Sequence, residues 1–330
     1  MGVKIIKLSP DDEVGCAEAV AVDSAGWKLD CPEVVQHTPR TFANMLRYGW
    51  DLEPPQAYLA REGDTAVGVL TVDVPQYENT NLTWIDVKVH PDHRGRGIGS
   101  ALIEYGEQVT RDLGRTLTGF GGLDLPKAEA FAQRHGYEQK AIEVNRRQDL
   151  AGLDWGLVQR TYDESLAAAS AYELLKVTGP LPADMLDGMV AVTESINDAP
   201  KDDLDMEDDV YSPERLRAYE EAQAKSERTV YRVIARRKDT GDLAGHTVVA
   251  VERERPYIGE QHDTAVSRDH RGHRLGALLK SAMLLWLRDE EAALTQIDTW
   301  NAESNGHMIG INEALNYRIV ARFLNYQKSL

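Results

Sequence analysis

Cysteine is nearly absent from this 330-residue chain: Cys16 and Cys31 are the only two. They allow at most one bridge, too little for a disulfide-built fold, and they match no metal-ligand spacing, so no metal centre is read here. A reducing cytoplasm is the simpler setting. Long apolar runs are also missing. No stretch approaches the ~20 apolar residues that span a bilayer. The start, "MGVKIIKLSPDDEVG", lacks the apolar segment and small-residue cleavage site of a signal peptide. Positive charge is in deficit, with 37 Lys+Arg against 54 Asp+Glu and a net charge of -17. Such a surface repels nucleic-acid phosphates and draws in cationic small molecules.

What is present is a repetition. "HPDHRGRGIGSALI" (His90 to Ile103) and "SRDHRGHRLGALLK" (Ser267 to Lys280) align without gaps: Arg94 falls on Arg271 and Gly99 on Gly276, a constant offset of 177. Their surroundings repeat as well. "LTWIDVKV" and "YIGEQHDTAV" read as strands entering the motif, and the residues after it carry helical apolar spacing. Further out, "AYLARE" and "AVGVLTVDV" are turned by "GDT", as "TVYRVIARR" and "LAGHTVVAVE" are turned by "DTGD". A repeat this long means duplicated domains rather than a solenoid. Each half predicts the order β-α-α-β-β-β-α-β-α-β, an α/β (α+β) fold with a mixed, mostly antiparallel sheet flanked by helices. The expected domains are 1–150 and 171–330, with 151–170 as linker.

A strand that breaks into a glycine-bearing turn and opens a helix is suited to an anion. The first N–H groups of the helix lack internal partners, and its dipole adds positive potential. In the first copy Gly95, Gly97 and Gly99 permit close backbone approach, and Arg94 and Arg96 offer charge-assisted contacts. "VKVHPDHRGRGIGSALI" resembles motif A of the GNAT acyl-CoA N-acyltransferases, with R-x-x-G-x-G on Arg94, Gly97 and Gly99. "KAEAFAQRHGYE" and "NAESNGHMIGINEALNYR" are similar to that family's motif B helix. The resemblance covers both halves and implies a tandem GNAT protein using acetyl-CoA as co-substrate. It implies that the loop residues Arg94 to Ser100, including Ile98, hold the pyrophosphate, and that Val87 and Val89 bond the pantetheine through their backbone. In the second half it implies Thr264 and Val266 on the strand, and Arg271, Gly272, His273, Arg274, Leu275, Gly276 and Ala277 in the loop.

The copies are unequal. Arg274 stands where Gly97 stands, which is costly if that position needs a positive φ and useful if the side chain can swing toward phosphate. The second half has Asn305, with Asn301 just ahead, where the family often bonds its cofactor through an asparagine. The alternative role for both is helix capping. The first half has Leu125 opposite Asn305. The second half is expected to be catalytic.

Acyl transfer from a thioester to an amine needs a base, a donor for the carbonyl oxygen and a proton for the thiolate. Direct attack in a ternary complex is expected, without a covalent intermediate. Asp263 and its counterpart Asp86 are candidate bases on the strands feeding the loops, with Glu260 and His262 near Asp263. Strand alternation predicts Glu260 and His262 on one face, Gln261 and Asp263 on the other. The family's motif B tyrosine is replaced by Ala132 and Asn312, leaving Tyr257 and Tyr317 as nominees for the acid. The acidic run "DDLDMEDDV" (Asp202 to Val210) would suit a cationic or polycationic small amine and lacks the spacing of a calcium loop. A monomer or homodimer is expected. The competing reading is a non-catalytic acyl-CoA-binding sensor or scaffold.

Overall fold

The computed structural model describes residues 2–330, save the side chains of 307 and 308. The chain forms two compact units, and neither is a contiguous half. The first comprises Met1–Glu143, Lys201–Glu207 and Val320–Leu330; the second comprises Val144–Pro200 and Asp208–Ile319.

The first unit contains β1 (Lys4–Leu8), α1 (Glu13–Asp30), α2 (Pro39–Tyr48), β2 (Gln56–Glu62), β3 (Thr65–Asp73), β4 (Leu82–Val89), α3 (Ile98–Asp112), β5 (Leu117–Leu123), α4 (Pro126–Arg134) and the start of β6 (Glu138–Asp149). Local chemistry sets its helix starts. Asp12 caps α1 by accepting from the Gly15 N–H, and Thr38 and Thr41 form a capping box before α2, with Pro39 in the first turn. The sheet runs antiparallel from β1 to β4, and β5 then joins parallel to β4. Its two faces are covered separately. Cys16, Phe42, Leu46 and Leu59 fill the side of α1 and α2, and Leu70, Ile85, Leu102 and Phe120 fill the side of α3 and α4.

The second unit contains α5 (Trp155–Ala168), β7 (Tyr172–Thr178), α6 (Leu186–Glu194), α7 (Pro213–Lys225), β8 (Arg228–Arg237), β9 (Leu243–Glu252), β10 (Ile258–Val266), α8 (Leu275–Glu290), β11 (Gln296–Ala302), α9 (Gly306–Ala314) and the start of β12 (Tyr317–Ser329). β7 to β10 run antiparallel, and β11 joins β10 in parallel. The mixed, mostly antiparallel sheet expected of each half is therefore present in both units.

The last strand departs from contiguous halves. Residues Phe323–Ser329 of β12 pair antiparallel with Leu123–Leu117 of β5 and so complete the first unit's sheet. Leu324 and Tyr326 are buried in the first unit's core. Burying side chains of this size contributes roughly 1.5–3 kcal/mol each. In the second unit, Asn145 and Arg147 of β6 lie against β11, through Thr299 and Asp298. Residues 151–170, expected as linker, carry α5 instead: Asp154 caps it, and Val158 is buried with α8 residues in the second core. Both cysteines are free. Among the described residues no helix is long and apolar enough to cross a membrane.

Candidate acyl-CoA and transfer site

In the first unit β4 and β5 pair only from Leu82–Leu117 to Trp84–Gly119 and then separate. The separation opens a cleft of about 380 Å³ between Val87–Val89 and Phe120–Leu123, with the motif loop at its mouth. Val87, Val89, Arg94, Gly95, Gly97, Ile98, Gly99 and Ser100 all line it. Gly95 and Gly97 have φ of +74° and +82°, and a Cβ on either would meet nothing within 4 Å. Their requirement is therefore conformational: glycine adopts this left-handed backbone without strain and leaves the N–H groups uncovered. Gly99 answers to packing instead, since a Cβ there would lie 3.2 Å from the Phe131 ring of α4.

The motif arginine is already engaged. Arg94 Nε donates to the Val89 carbonyl at 3.1 Å, and Nη1 pairs with Asp30 at 2.9 Å. Lys127, at the start of α4, reaches the other Asp30 oxygen at 2.5 Å. One carboxylate at the end of α1 thus holds two cations at the cleft. Arg96 is turned away, its Nη2 donating to both Glu62 carboxylate oxygens at 2.9 Å.

Along β4 the side chains divide. Val87 and Val89 pack with the α3 side, whereas Trp84, Asp86 and Lys88 share the face of their cross-strand partners Asp73, Thr71 and Val69. Lys88 Nζ pairs with Asp86 at 2.6 Å and lies 4.9 Å from the Trp27 ring centre. Asp23, on the same helix as Trp27, has a buried oxygen with no hydrogen-bond partner. Burial pushes its carboxyl up to about 6, Lys88 opposing and Asp86 reinforcing. Asp73 is pushed the same way by crowding and by Asp86, although its exposure to solvent tempers the effect. Asp23, Trp27 and Asp30 recur at helical spacing (i, i+4, i+7) on α1, a signal present in the sequence. Phe323, which also lines the cleft, carried no such signal because it comes from the last strand.

The second unit repeats the plan with changes. Arg271 Nε donates to the Val266 carbonyl at 3.1 Å, as Arg94 does to Val89, and its guanidinium pairs with Asp198 at 2.6 Å. Arg274 opens α8 at φ +57°, and its guanidinium lies toward Glu164 at 3.4 Å. Of the two outcomes open for this position, the strained one applies, and the charge is directed to a carboxylate of α5. Gly272 has φ +84°, and Leu275 is buried in the core. A Cβ on Gly276 would sit 3.1 Å from Ile311, the counterpart of the Gly99–Phe131 contact. His273 lies near the Tyr172 ring, Ala277 accepts from Ser281, and Thr264 bonds Thr247 at 2.7 Å. Asn301 accepts from the Asn312 amide at 2.9 Å, and Asn305 precedes α9, its carbonyl accepting from Ile309.

The expected alternation on β10 holds for Glu260 and His262 against Gln261 and breaks at Asp263. A register shift between Gln261 and Thr264 inserts a β-bulge, which lets consecutive side chains point the same way. His262 Nδ1 meets the Tyr219 hydroxyl of α7 at 2.6 Å, and its Nε2 lies 3.6 Å from Glu260. Asp263 is felt by the same Tyr219 and by Arg232. Gln261 and Thr264 both bond Thr247, so the bulge places Asp263 with His262 and Glu260 on the α7 face. Burial raises the Asp263 carboxyl, against the pull of His262 and Arg232. Gln261 points elsewhere, bonding Thr247 and the Val248 carbonyl. The nominated acids are placed apart from this cluster: Tyr257 precedes β10 at the end opposite the loop, and Tyr317 is buried in the core.

The acidic run divides between the units. Lys201–Glu207 belongs to the first, where Asp203 N–H donates to the Lys140 carbonyl, Asp205 N–H to Gln327 and Glu207 N–H to Asn79.

The acetyltransferase (GNAT) family model matches residues 22–137 and 193–310. A mycothiol acetyltransferase from Stackebrandtia nassauensis is 24% identical over 323 residues, covering 95% of each chain. One from Geodermatophilus obscurus is 38% identical over 77 residues, 23% of this chain and 24% of its own length. Among solved structures, a tandem GNAT protein from the clavulanic acid biosynthesis pathway superposes with a TM-score of 0.81 at 23% identity, over 99% of this chain and 98% of that one. A GCN5-related N-acetyltransferase from Sphaerobacter thermophilus gives 0.69 at 17%, over 98% and 95%. At these identities the structural likeness speaks for the fold, and the family match speaks for the chemistry: with both units matched, the chain belongs to the GNAT acetyltransferases and is a tandem member of them.

Proposed function

We propose that the protein transfers an acetyl group from acetyl-CoA to a small cationic amine by direct attack in a ternary complex. The observation that carries this reading is the division of β4 in the first unit. Val87 and Val89 line the cleft that suits acyl-CoA, and the α1 face presents Asp86 paired with Lys88, which also borders the cleft, together with Asp23. Main-chain N–H groups at the start of α3 take the pyrophosphate, and the backbone at Val87 and Val89 takes the pantetheine. The carboxylate face attracts the ammonium of the acceptor, and Asp23, with its raised pKa, accepts the proton that the amine must lose. The mycothiol acetyltransferase relatives agree with a small-molecule acceptor.

A second reading places transfer in the second unit, as expected from the sequence. It is favoured by the bulge that gathers Glu260, His262 and Asp263 beside Tyr219. Asp263 is then the base, and acetyl-CoA sits where β10 and β11 part.

The discriminating experiment follows free-thiol release from acetyl-CoA with a panel of primary amines. D23N, D86N and D263N are compared with the parent. Loss confined to D23N and D86N supports transfer in the first unit, and loss confined to D263N supports the second. Acetyl-CoA binding without release for any amine would sink both in favour of a sensor.

A further inference from the structure

The second unit contains a buried lysine that neither reading uses. Lys280, on α8, is 2% exposed, and its ammonium donates to Asn312 Oδ1 at 2.6 Å. The Tyr317 ring centre lies 4.7 Å from Nζ. Among the described residues no carboxylate pairs with it. Asn312 comes from α9, and its amide donates onward to Asn301 Oδ1 at 2.9 Å. The lysine fixes the orientation of both amides, because an ammonium can face only oxygen.

The matching positions in the first unit carry none of this. Ile103 stands where Lys280 stands, and Ala132 where Asn312 stands, both buried among apolar side chains. A well-packed core has thus been exchanged for a sealed cation and an amide, which is unfavourable for stability alone. The end of the chain of amides indicates why. Asn301 lies two residues past Thr299, the last β11 residue paired with β10, where the two strands separate. Its counterpart beyond the Trp84–Gly119 pair is Gly121, which lines the first unit's cleft. Asn301 is also partly exposed. With its oxygen held by Asn312, its Nδ2 remains to be used.

We propose that Lys280 is a positioning residue for acyl-CoA in the second unit: through Asn312 it orients and polarises Asn301, whose Nδ2 donates to an amide carbonyl of the pantetheine arm. The inference rests on the reading in which the second unit takes acetyl-CoA. A charged donor at the head of a chain of amides strengthens each bond after it. Burial lowers the Lys280 pKa to about 7, with Asn312 and the Tyr317 ring as its contacts. The relay is therefore charged below that pH and loses its charge above it.

The test is calorimetry with acetyl-CoA from pH 6 to 8 on protein carrying G97D, which removes the first unit's loop from the measurement. One site should remain, weakening as pH rises through about 7. Adding K280M should lower affinity about fivefold at pH 6 and much less at pH 8. Thermal unfolding should show K280M as stable as its parent or more so, which distinguishes positioning from support of the fold. N312L, which keeps the lysine but breaks the chain, should reproduce the loss. Unchanged affinity and an unchanged pH profile in K280M and N312L would overturn the proposal alone. Absence of any binding in G97D protein would overturn it together with the reading beneath it.

Discussion

Gly97 and Arg274 open their helices from the same left-handed conformation, at φ +82° and +57°. The duplicated loop has thus kept its backbone shape while losing the residue that adopts it freely. A non-glycine residue in this region costs of order 1 kcal/mol, and the exposed pair between Arg274 and Glu164 returns little. R274G should therefore stabilise the protein by about 0.5–1 kcal/mol. Urea denaturation followed by circular dichroism measures this, and a destabilised variant would contradict it.

In the first loop the same logic runs in reverse. G97D places a side chain at positive φ and a carboxylate where phosphate is expected. Affinity for acetyl-CoA at the first unit should fall by roughly 100-fold or more, the combined effect of strain and like-charge repulsion. Calorimetry on the parent and variant decides it: equal stoichiometry and affinity would remove the loop as a binding element.

Asp23 predicts opposite effects on rate and stability. Its folded pKa, raised to about 6, lies above the ordinary carboxylate value, so the folded state binds the proton more readily than the unfolded state. Above pH 6 the buried charge is a penalty, which shrinks as pH falls through about 6 and vanishes below the unfolded value. D23N should therefore be more stable than the parent at pH 7 by on the order of 1–2 kcal/mol, with no advantage near pH 3. If Asp23 is the base, the same variant should lose about 100-fold in rate together with the low-pH limb near 6. A slow variant that keeps that limb would assign the titration elsewhere.

Arg147 and Asp298 form a bidentate pair in the second unit, at 2.7 Å for both bonds, with little solvent at either side chain. Removing one partner leaves the other charge stranded, so R147M should cost roughly 3–5 kcal/mol. Replacing both, as R147M with D298L, should recover most of the loss. A double variant no better than the single one would mean that packing, not charge, accounts for the effect.

The final strand offers a test by deletion. A chain ending at Ile319 leaves the edge of β5 unpaired and removes Leu324, Tyr326 and the cleft residue Phe323 from the first unit. Its acetyl-CoA affinity should fall by at least tenfold even though residues 94–99 are intact, since the cleft wall loses its support. Undiminished binding at the first unit would show that the strand is dispensable to the site.

The sequence by itself determined the duplication, the element order and the two glycine-bearing loops, because these rest on local matters: apolar period, turn chemistry and the backbone freedom of glycine. The family came from the resemblance of the motif residues Arg94, Gly97 and Gly99. The i, i+4, i+7 spacing of Asp23, Trp27 and Asp30 on α1 is also present in the sequence, but what that face meets is not. Tertiary structure alone decided three things. It placed β12 beside β5, since main-chain pairing between strands carries almost no sequence address. It brought Asp263 onto the face of Glu260 and His262 through a bulge that leaves no mark on residue alternation. It buried Lys280 behind Asn312 and Asn301, a link across 32 and then 11 residues that only the packing of α8 on α9 could close.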